Sequence, residues 1–202
     1  MSPTDPLHGF PESLGLELSP GAADRLVRFE TLLRERGIPL GLVSSGDADR
    51  IMERHVLDSL RAAVAVEAGD SSAYDLGAGA GLPGLVVAIA RPRLAVRLVE
   101  ARRRRAAFLE LAVEELGVTN ASVILGRVEE LEEPADLCFA RALASPAESW
   151  SLARGLLRAG GRLVYFAGVH VDLPDELPGA REIRLLETAV LESTGPLVIM
   201  TR

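Results

Sequence analysis

Lysine is missing from this chain of 202 residues, and all 22 basic side chains are arginines. Coding bias accounts for that, so nothing catalytic follows from it. Acidic residues outnumber basic ones, 29 to 22, and the net charge of −7 excludes a general binder of polyanions. The single cysteine, Cys138, excludes an internal disulfide framework and suits a reducing compartment. Three histidines, His8, His55 and His170, are too scattered to suggest a metal site. No run is long and apolar enough to cross a membrane, and the first twenty residues have no basic region followed by an apolar stretch. No signal peptide is therefore expected, and the cytoplasm is the plain location. With 48% hydrophobic and 25% charged residues, the composition is that of a globular protein with a sizeable core.

The most informative segment is Asp75-Leu76-Gly77-Ala78-Gly79-Ala80-Gly81-Leu82-Pro83-Gly84. An acidic residue closes a short apolar run, and alternating glycines lead into an apolar helix. Glycine lets the backbone approach a ligand that a Cβ would keep away. The helix start adds partial positive charge. Asp75 favours a ligand with a cationic amino group, held directly or through water, over a pyrophosphate. S-adenosylmethionine has such a group. Gly79-x-Gly81-x-x-Gly84 also fits the dinucleotide spacing, with Glu100 placed where a ribose-binding carboxylate belongs. An NAD-dependent oxidoreductase and a turn with no ligand remain the alternatives.

From residue 72 the chain alternates strands and helices in the α/β manner. Strands are predicted at 72–75, 95–100, 121–125, 137–140 and 161–166, and helices at 85–90, 101–116 and 146–157. The last part reads as two strands, 181–191 and 197–201, joined by a turn at 193–196. A terminal hairpin in place of a sixth βαβ unit favours a methyltransferase arrangement over a dinucleotide fold. Ahead of this core, residues 1–70 read as a helical segment packed on residues 71–202. One helix starts at Ser19-Pro20 and stops at Gly37. A second, over 47–66, carries Met52, Val56, Leu60 and Val64 on one stripe.

Several residues are candidate site groups. Glu100 ends a strand, where it can accept both hydroxyls of a ribose or merely compensate a helix dipole. Val128 and Glu129 follow the third strand, where an adenine would lie, or else begin a solvated helix. His55, Asp58 and Ser59 share a helix face and either orient a substrate or brace nearby loops. Arg141 follows the fourth strand at the edge where open α/β sheets bind ligands, or else pairs with Glu148 at the surface. Arg102-Arg103-Arg104-Arg105 sits at a helix start, against the dipole, and a patch from Arg91 to Arg105 would meet RNA phosphates.

Five segments together resemble the glucose-inhibited division protein B family, bacterial small-subunit (16S) rRNA guanine-N7 methyltransferases. They are Arg54-His55-Val56-Leu57-Asp58-Ser59-Leu60, the glycine-rich turn from Asp75 to Gly84, Glu100-Ala101-Arg102-Arg103-Arg104, Gly126-Arg127-Val128-Glu129 and Arg141-Ala142. The likeness spans about residues 52–161 and is weaker on either side. It implies a Rossmann-like class I methyltransferase sheet with a C-terminal antiparallel hairpin and an added N-terminal helical segment. It implies S-adenosyl-L-methionine contacts at Gly77, Leu82, Val128, Glu129 and Arg141, with Asp75, Gly79 and Glu100 around them. Arg54, His55, Asp58 and Ser59 would position the substrate, and Arg102, Arg103 and Arg104 would touch RNA. The partner implied is small-subunit rRNA or the 30S particle, met by a monomer without metal. The chain departs from the family at three places: residues 40–44, Phe166-Ala167-Gly168 where a lysine is usual, and Gly195-Pro196-Leu197 where a basic residue is usual. These leave open a paralogue with a small-molecule or protein substrate, or an inactive ribosome-associated module that still binds cofactor.

Overall fold

The computed structural model describes residues 7–169, 174, 176–186, 188, 191 and 194–202. Gly9 and Gly21, at φ 77 and 78, precede the first two helices, α1 (Phe10–Ser13) and α2 (Ala22–Leu32). The expected start at Ser19-Pro20 is corrected here. Ser19 accepts the Ala22 N–H through its backbone carbonyl, and the chain turns at left-handed Gly21, a conformation that is cheap only for glycine. The helix continues as a wide π turn, Leu33–Gly37, and its end at Gly37 is as expected.

The second N-terminal segment is not one regular helix. It runs as tight turns over Ser45–Arg50, a π turn over Met52–Leu57, a single α turn, α3 (Asp58–Leu60), and tight turns over Arg61–Ala65. Val56 and Leu60 of the expected stripe are fully buried, while Met52 and Val64 are half-buried. The wide turn coincides with a side chain that takes its carbonyls. Arg141 donates to the carbonyls of Arg54 and His55, and such insertion into a helical ladder is a known cause of local widening.

The core then alternates: β1 (Ser72–Leu76), α4 (Gly84–Ala90), β2 (Ala95–Glu100), α5 (Arg103–Leu116), β3 (Ala121–Leu125), β4 (Ala135–Arg141), α6 (Pro146–Leu156), β5 (Leu157–Phe166), β6 (Glu182–Leu186) and β7 (Leu197–Thr201). The sheet order is β3-β2-β1-β4-β5-β7-β6, parallel through β5, with β7 antiparallel to both β5 and β6. This is the expected α/β sheet with C-terminal antiparallel strands. Of the expected segment 181–191, residues 187, 189 and 190 lie outside the described residues, as does 193 of the expected turn. Helix α5 begins two residues later than predicted, because Glu100 Oε1 accepts the Arg102 N–H at 2.8 Å and holds Arg102 extended.

Strand alternation sets the layers. Ala73 packs into the larger core beneath α2, α4 and α5, whereas Tyr74 and Leu76 face a smaller core built around Trp150 of α6. Phe29, Leu33 and Val56 of the N-terminal segment share the larger core with Leu85 and Leu98. Asp75 faces the same way as Ala73, under the start of α4. Among the described residues, no helix is long and apolar enough to cross a membrane.

Candidate active site

Both carboxylates that flank the glycine turn are buried, Asp75 at 1% exposure and Glu100 at 5%. Glu100 closes β2, and its Oε2 accepts the Gly79 N–H at 3.0 Å while Oε1 holds Arg102. Each carboxylate oxygen keeps an acceptor site for a ligand hydroxyl. Asp75 Oδ2 accepts the Gly84 N–H at 2.8 Å, so the carboxyl holds the helix start, and Asp75 lines neither of the two cavities described below. The contact is tight: a Cβ on Gly84 would lie 2.5 Å from Asp75 Cβ and 2.6 Å from a Leu98 methyl. That is the close strand–helix packing that the third glycine of such a turn provides.

Burial pushes the Asp75 carboxyl up to about 7, against the opposing effects of the Gly84 N–H and Arg141. The folded chain therefore retains a proton between about pH 4 and 7 that the unfolded chain has released. The stability from this proton is complete below about pH 4 and is lost as pH rises through 7. The melting temperature of Asp75→Asn, which keeps an acceptor for Gly84, is expected to fall less than that of the parent between pH 5 and 8. Parallel curves for the two proteins would exclude this linkage. His55 titrates in the opposite sense in both proteins, since burial and Arg141 lower its pKa.

Two cavities of about 350 Å³ open along the C-terminal edge of the sheet. The first is lined by Gly77, Glu100, Val128 and Glu129, all predicted for the cofactor. Arg102 and Arg105 line it too, together with Arg127. Leu82 does not; it is half-buried against the larger core. The second cavity takes in Arg54, His55, Asp58 and Arg141, and its far wall includes Ala167, Gly168 and Gly195 from the altered segments. Ala142 borders both cavities. At φ 51 it is the one non-glycine in the left-handed region among the described residues. Such strain collects at functional positions.

Arg141 ties the second cavity together. Its guanidinium meets Asp58 Oδ2 at 2.9 Å, donates to Ser59 Oγ at 2.9 Å and to the Arg54 carbonyl at 2.9 Å, and lies over the Phe166 ring at 5.3 Å. The expected face of His55, Asp58 and Ser59 thus converges on Arg141. The pairing proposed with Glu148 does not form; Glu148 caps α6 through Ser145. Asp58 also accepts from Arg61 at 2.7 Å, and Arg61 donates onward to the Gly195 carbonyl at 3.1 Å. Asp47 holds Arg54 at 2.7 Å and His55 at 3.1 Å. Sequence reasoning passed over Arg61, Asp47 and Ala142. The i, i+3 spacing from Asp58 was the available signal for Arg61. Ala142 stood in the Arg141-Ala142 segment without a role assigned to it, and no comparable signal marked Asp47.

Arg102, Arg103 and Arg104 are exposed beside the first cavity. The earlier part of the supposed patch is elsewhere. Arg91 donates to the Ala63 carbonyl, and Arg97 pairs with Glu133 across the Tyr74 ring. Six strand residues at about 3.3 Å each separate the two ends of β2, roughly 20 Å. Among the described residues, no group of three or more His, Cys, Asp or Glu gathers as metal ligands.

Residues 22–190 match the GidB family, described as rRNA small subunit methyltransferase G. Ribosomal RNA small subunit methyltransferase G of Neisseria meningitidis serogroup A is 32% identical over 196 residues, covering 94% of each chain. The protein of that name from Acidiphilium cryptum is 43% identical over 160 residues, 78% of this chain and 72% of its own. In fold, the chain is similar to the O-methyltransferase TomG from Streptomyces achromogenes, solved in complex with SAM. The TM-score is 0.60 at 19% identity, over 94% of this chain and 92% of that one.

Proposed function

This chain belongs to the GidB family, and from that premise we propose that it transfers a methyl group from S-adenosyl-L-methionine to N7 of a guanine in small-subunit rRNA. The observation that carries the reading is the pair of cavities that meet at Ala142, one with a ribose-ready carboxylate and one ringed by Arg54, His55, Asp58 and Arg141. The first cavity suits the cofactor in size and chemistry. Its volume of about 350 Å³ lies in the ligand-binding range, and Glu100 retains acceptor capacity at its floor.

In this reading Glu100 holds the ribose, and Val128 and Glu129 flank the adenine. Gly77 lets the backbone approach, since a Cβ there would lie 2.8 Å from a Leu143 methyl. Gly79 presents its N–H to Glu100. Asp75 acts from behind the turn: it fixes the start of α4 and, when ionised, adds negative potential. Leu82 supports the turn through the core. When bound, S-adenosylmethionine supplies an electrophilic methyl on a sulfonium.

Guanine N7 has a free lone pair and no proton to lose, so no side chain has to act as a base. His55 fits that scheme, because it is engaged by Asp47 and biased toward the neutral form. The chain's task at the second cavity is alignment and exclusion of water. Arg141 works there by holding Asp58, Ser59 and the wide turn in place. Arg54, half-exposed at the rim, faces the incoming nucleotide.

A second reading has one observation in its favour. Ala167, Gly168 and Gly195 line the second cavity where the family resemblance implies cations, which fits a related methyltransferase with another acceptor. A single experiment separates the readings. The purified protein is incubated with labelled S-adenosylmethionine and 30S particles, protein-free rRNA or lysate from a strain lacking the gene. Label in 30S rRNA that maps to N7-methylguanine is expected. Label confined to small molecules or protein would replace the rRNA reading with the second one. Tight binding of S-adenosylhomocysteine with no label anywhere would mark an inactive module. A 30S substrate places the protein in the cytoplasm, and the proposal treats it as a monomer.

A further inference from the structure

Five arginines around the first cavity have no carboxylate partner among the described residues. Arg102, Arg105 and Arg127 line the cavity, and Arg103 and Arg104 continue from it on the first turn of α5. All but Arg105 are exposed. Elsewhere about half of the arginines meet a carboxylate, among them Arg61 and Arg141 on Asp58, Arg97 on Glu133, Arg158 on Asp136 and Arg162 on Asp70, and the unpaired ones do not gather round a cavity in this way.

The unpaired cluster does nothing for the fold. Cations at a helix start oppose its dipole, and α5 has no acidic residue in its first turn to offset them. The cavity's carboxylates, Glu100 and Glu129, suit a cationic cofactor, but the arginines at its mouth do not. In a chain of net charge −7, five arginines gather here against the two carboxylates of the lining, Glu100 and Glu129, and the excess lies where it disfavours both the helix and the ligand. A polyanion lying across it would relieve both.

We propose that phosphates of the substrate RNA lie across the mouth of the cofactor cavity on Arg102, Arg103, Arg104, Arg105 and Arg127, so that bound RNA closes over the cofactor. This inference rests on the methyltransferase reading above. The geometry favours it because the two cavities adjoin at Ala142. A strand whose base enters the second cavity has its neighbouring phosphates within reach of the first. Cofactor then binds before RNA and leaves after it. The two ligands stabilise one another, because RNA blocks the exit and its phosphates cancel the repulsion between the arginines and the sulfonium.

The test is a chase. The protein is loaded with labelled S-adenosylhomocysteine, and release is followed after excess unlabelled ligand is added. The measurement is made with and without 30S particles from a strain lacking the gene, and binding to 30S is scored separately by sedimentation. With 30S bound, the affinity for S-adenosylhomocysteine should rise by roughly 5- to 150-fold, the usual span of coupling between two sites, and release should slow. The slowing should vanish at high salt, where phosphate contacts are lost. The double variant Arg103→Gln, Arg104→Gln should keep the parent's affinity for S-adenosylhomocysteine. Its 30S affinity should depend less on salt, with the log–log slope reduced by roughly 1.5, and most of the slowing should disappear. Sedimentation with 30S at an unchanged release rate would overturn the proposal alone. Failure to sediment with 30S at all would overturn the rRNA reading and this inference with it.

Discussion

Asp58→Ala is expected to cost about 3–5 kcal/mol of unfolding free energy, the range for removing one partner of a buried ion pair. Asp58 is 6% exposed and Arg61 is 5% exposed, and the aspartate serves two guanidiniums, Arg61 at 2.7 Å and Arg141 at 2.9 Å. Removing it leaves two guanidiniums side by side with one carboxylate fewer, the uncompensated charge that makes breaking such a pair costly. The damage should spread along the hydrogen bonds. Arg61 also holds the Gly195 carbonyl, and Arg141 holds the wide turn that carries Arg54 and His55. Urea unfolding followed by circular dichroism checks the loss. Asp58→Asn, which keeps one acceptor but no charge, should fall between the parent and Asp58→Ala. Replacing Arg61 by methionine in the Asp58→Ala background should recover part of the stability by removing one stranded charge. A loss below about 1 kcal/mol for Asp58→Ala would mean that solvent reaches the cluster and that its pairs behave as surface pairs.

Glu100→Ala should weaken S-adenosylhomocysteine binding by about 10- to 150-fold, or roughly 1.5–3 kcal/mol, the cost of losing hydrogen bonds to a charged acceptor. Two losses combine. The ligand's hydroxyls lose their carboxylate, and the N–H groups of Gly79 and Arg102 lose the acceptor that orients the turn and the start of α5. Glu100→Gln keeps one acceptor oxygen and should lie between the two proteins. Isothermal titration on variants with unchanged circular dichroism gives the comparison. Parent-like affinity in a folded Glu100→Ala protein would place the nucleoside elsewhere.

The two carboxylates that flank the glycine turn differ in how readable they were. Glu100 was placed by spacing alone, because a strand end about twenty residues after a glycine turn has a fixed relation to that turn. Asp75 was identified as important, but the N–H that it holds was not foreseen. Its side was legible in the alternation of its own strand, where residue 75 must share a face with Ala73. The sheet and its helices followed from periodicity, and their ends moved where a side chain captured a backbone N–H, as Glu100 does at Arg102. The second cavity was harder. His55, Asp58 and Ser59 share a face by arithmetic, but their common partner Arg141 lies more than 80 residues away, and only the closure of the sheet brings it there. The irregular turns over 52–57 have no sequence signal of their own, since their width reflects that same distant guanidinium. The arginine run divided along a similar line. Residues on either side of a strand belong to opposite rims of the molecule, so Arg91 and Arg105 were never neighbours.

Ala142 gives the two-chamber arrangement a further meaning. It stands where both chambers meet, in a backbone conformation that admits few side chains, and its own side chain is a single methyl. Where the two chambers adjoin, the side chain they share is thus a single methyl. On the proposed reading, a larger side chain here would push the two reactants apart, so the spacing of the transfer would depend on a residue with no reactive group of its own.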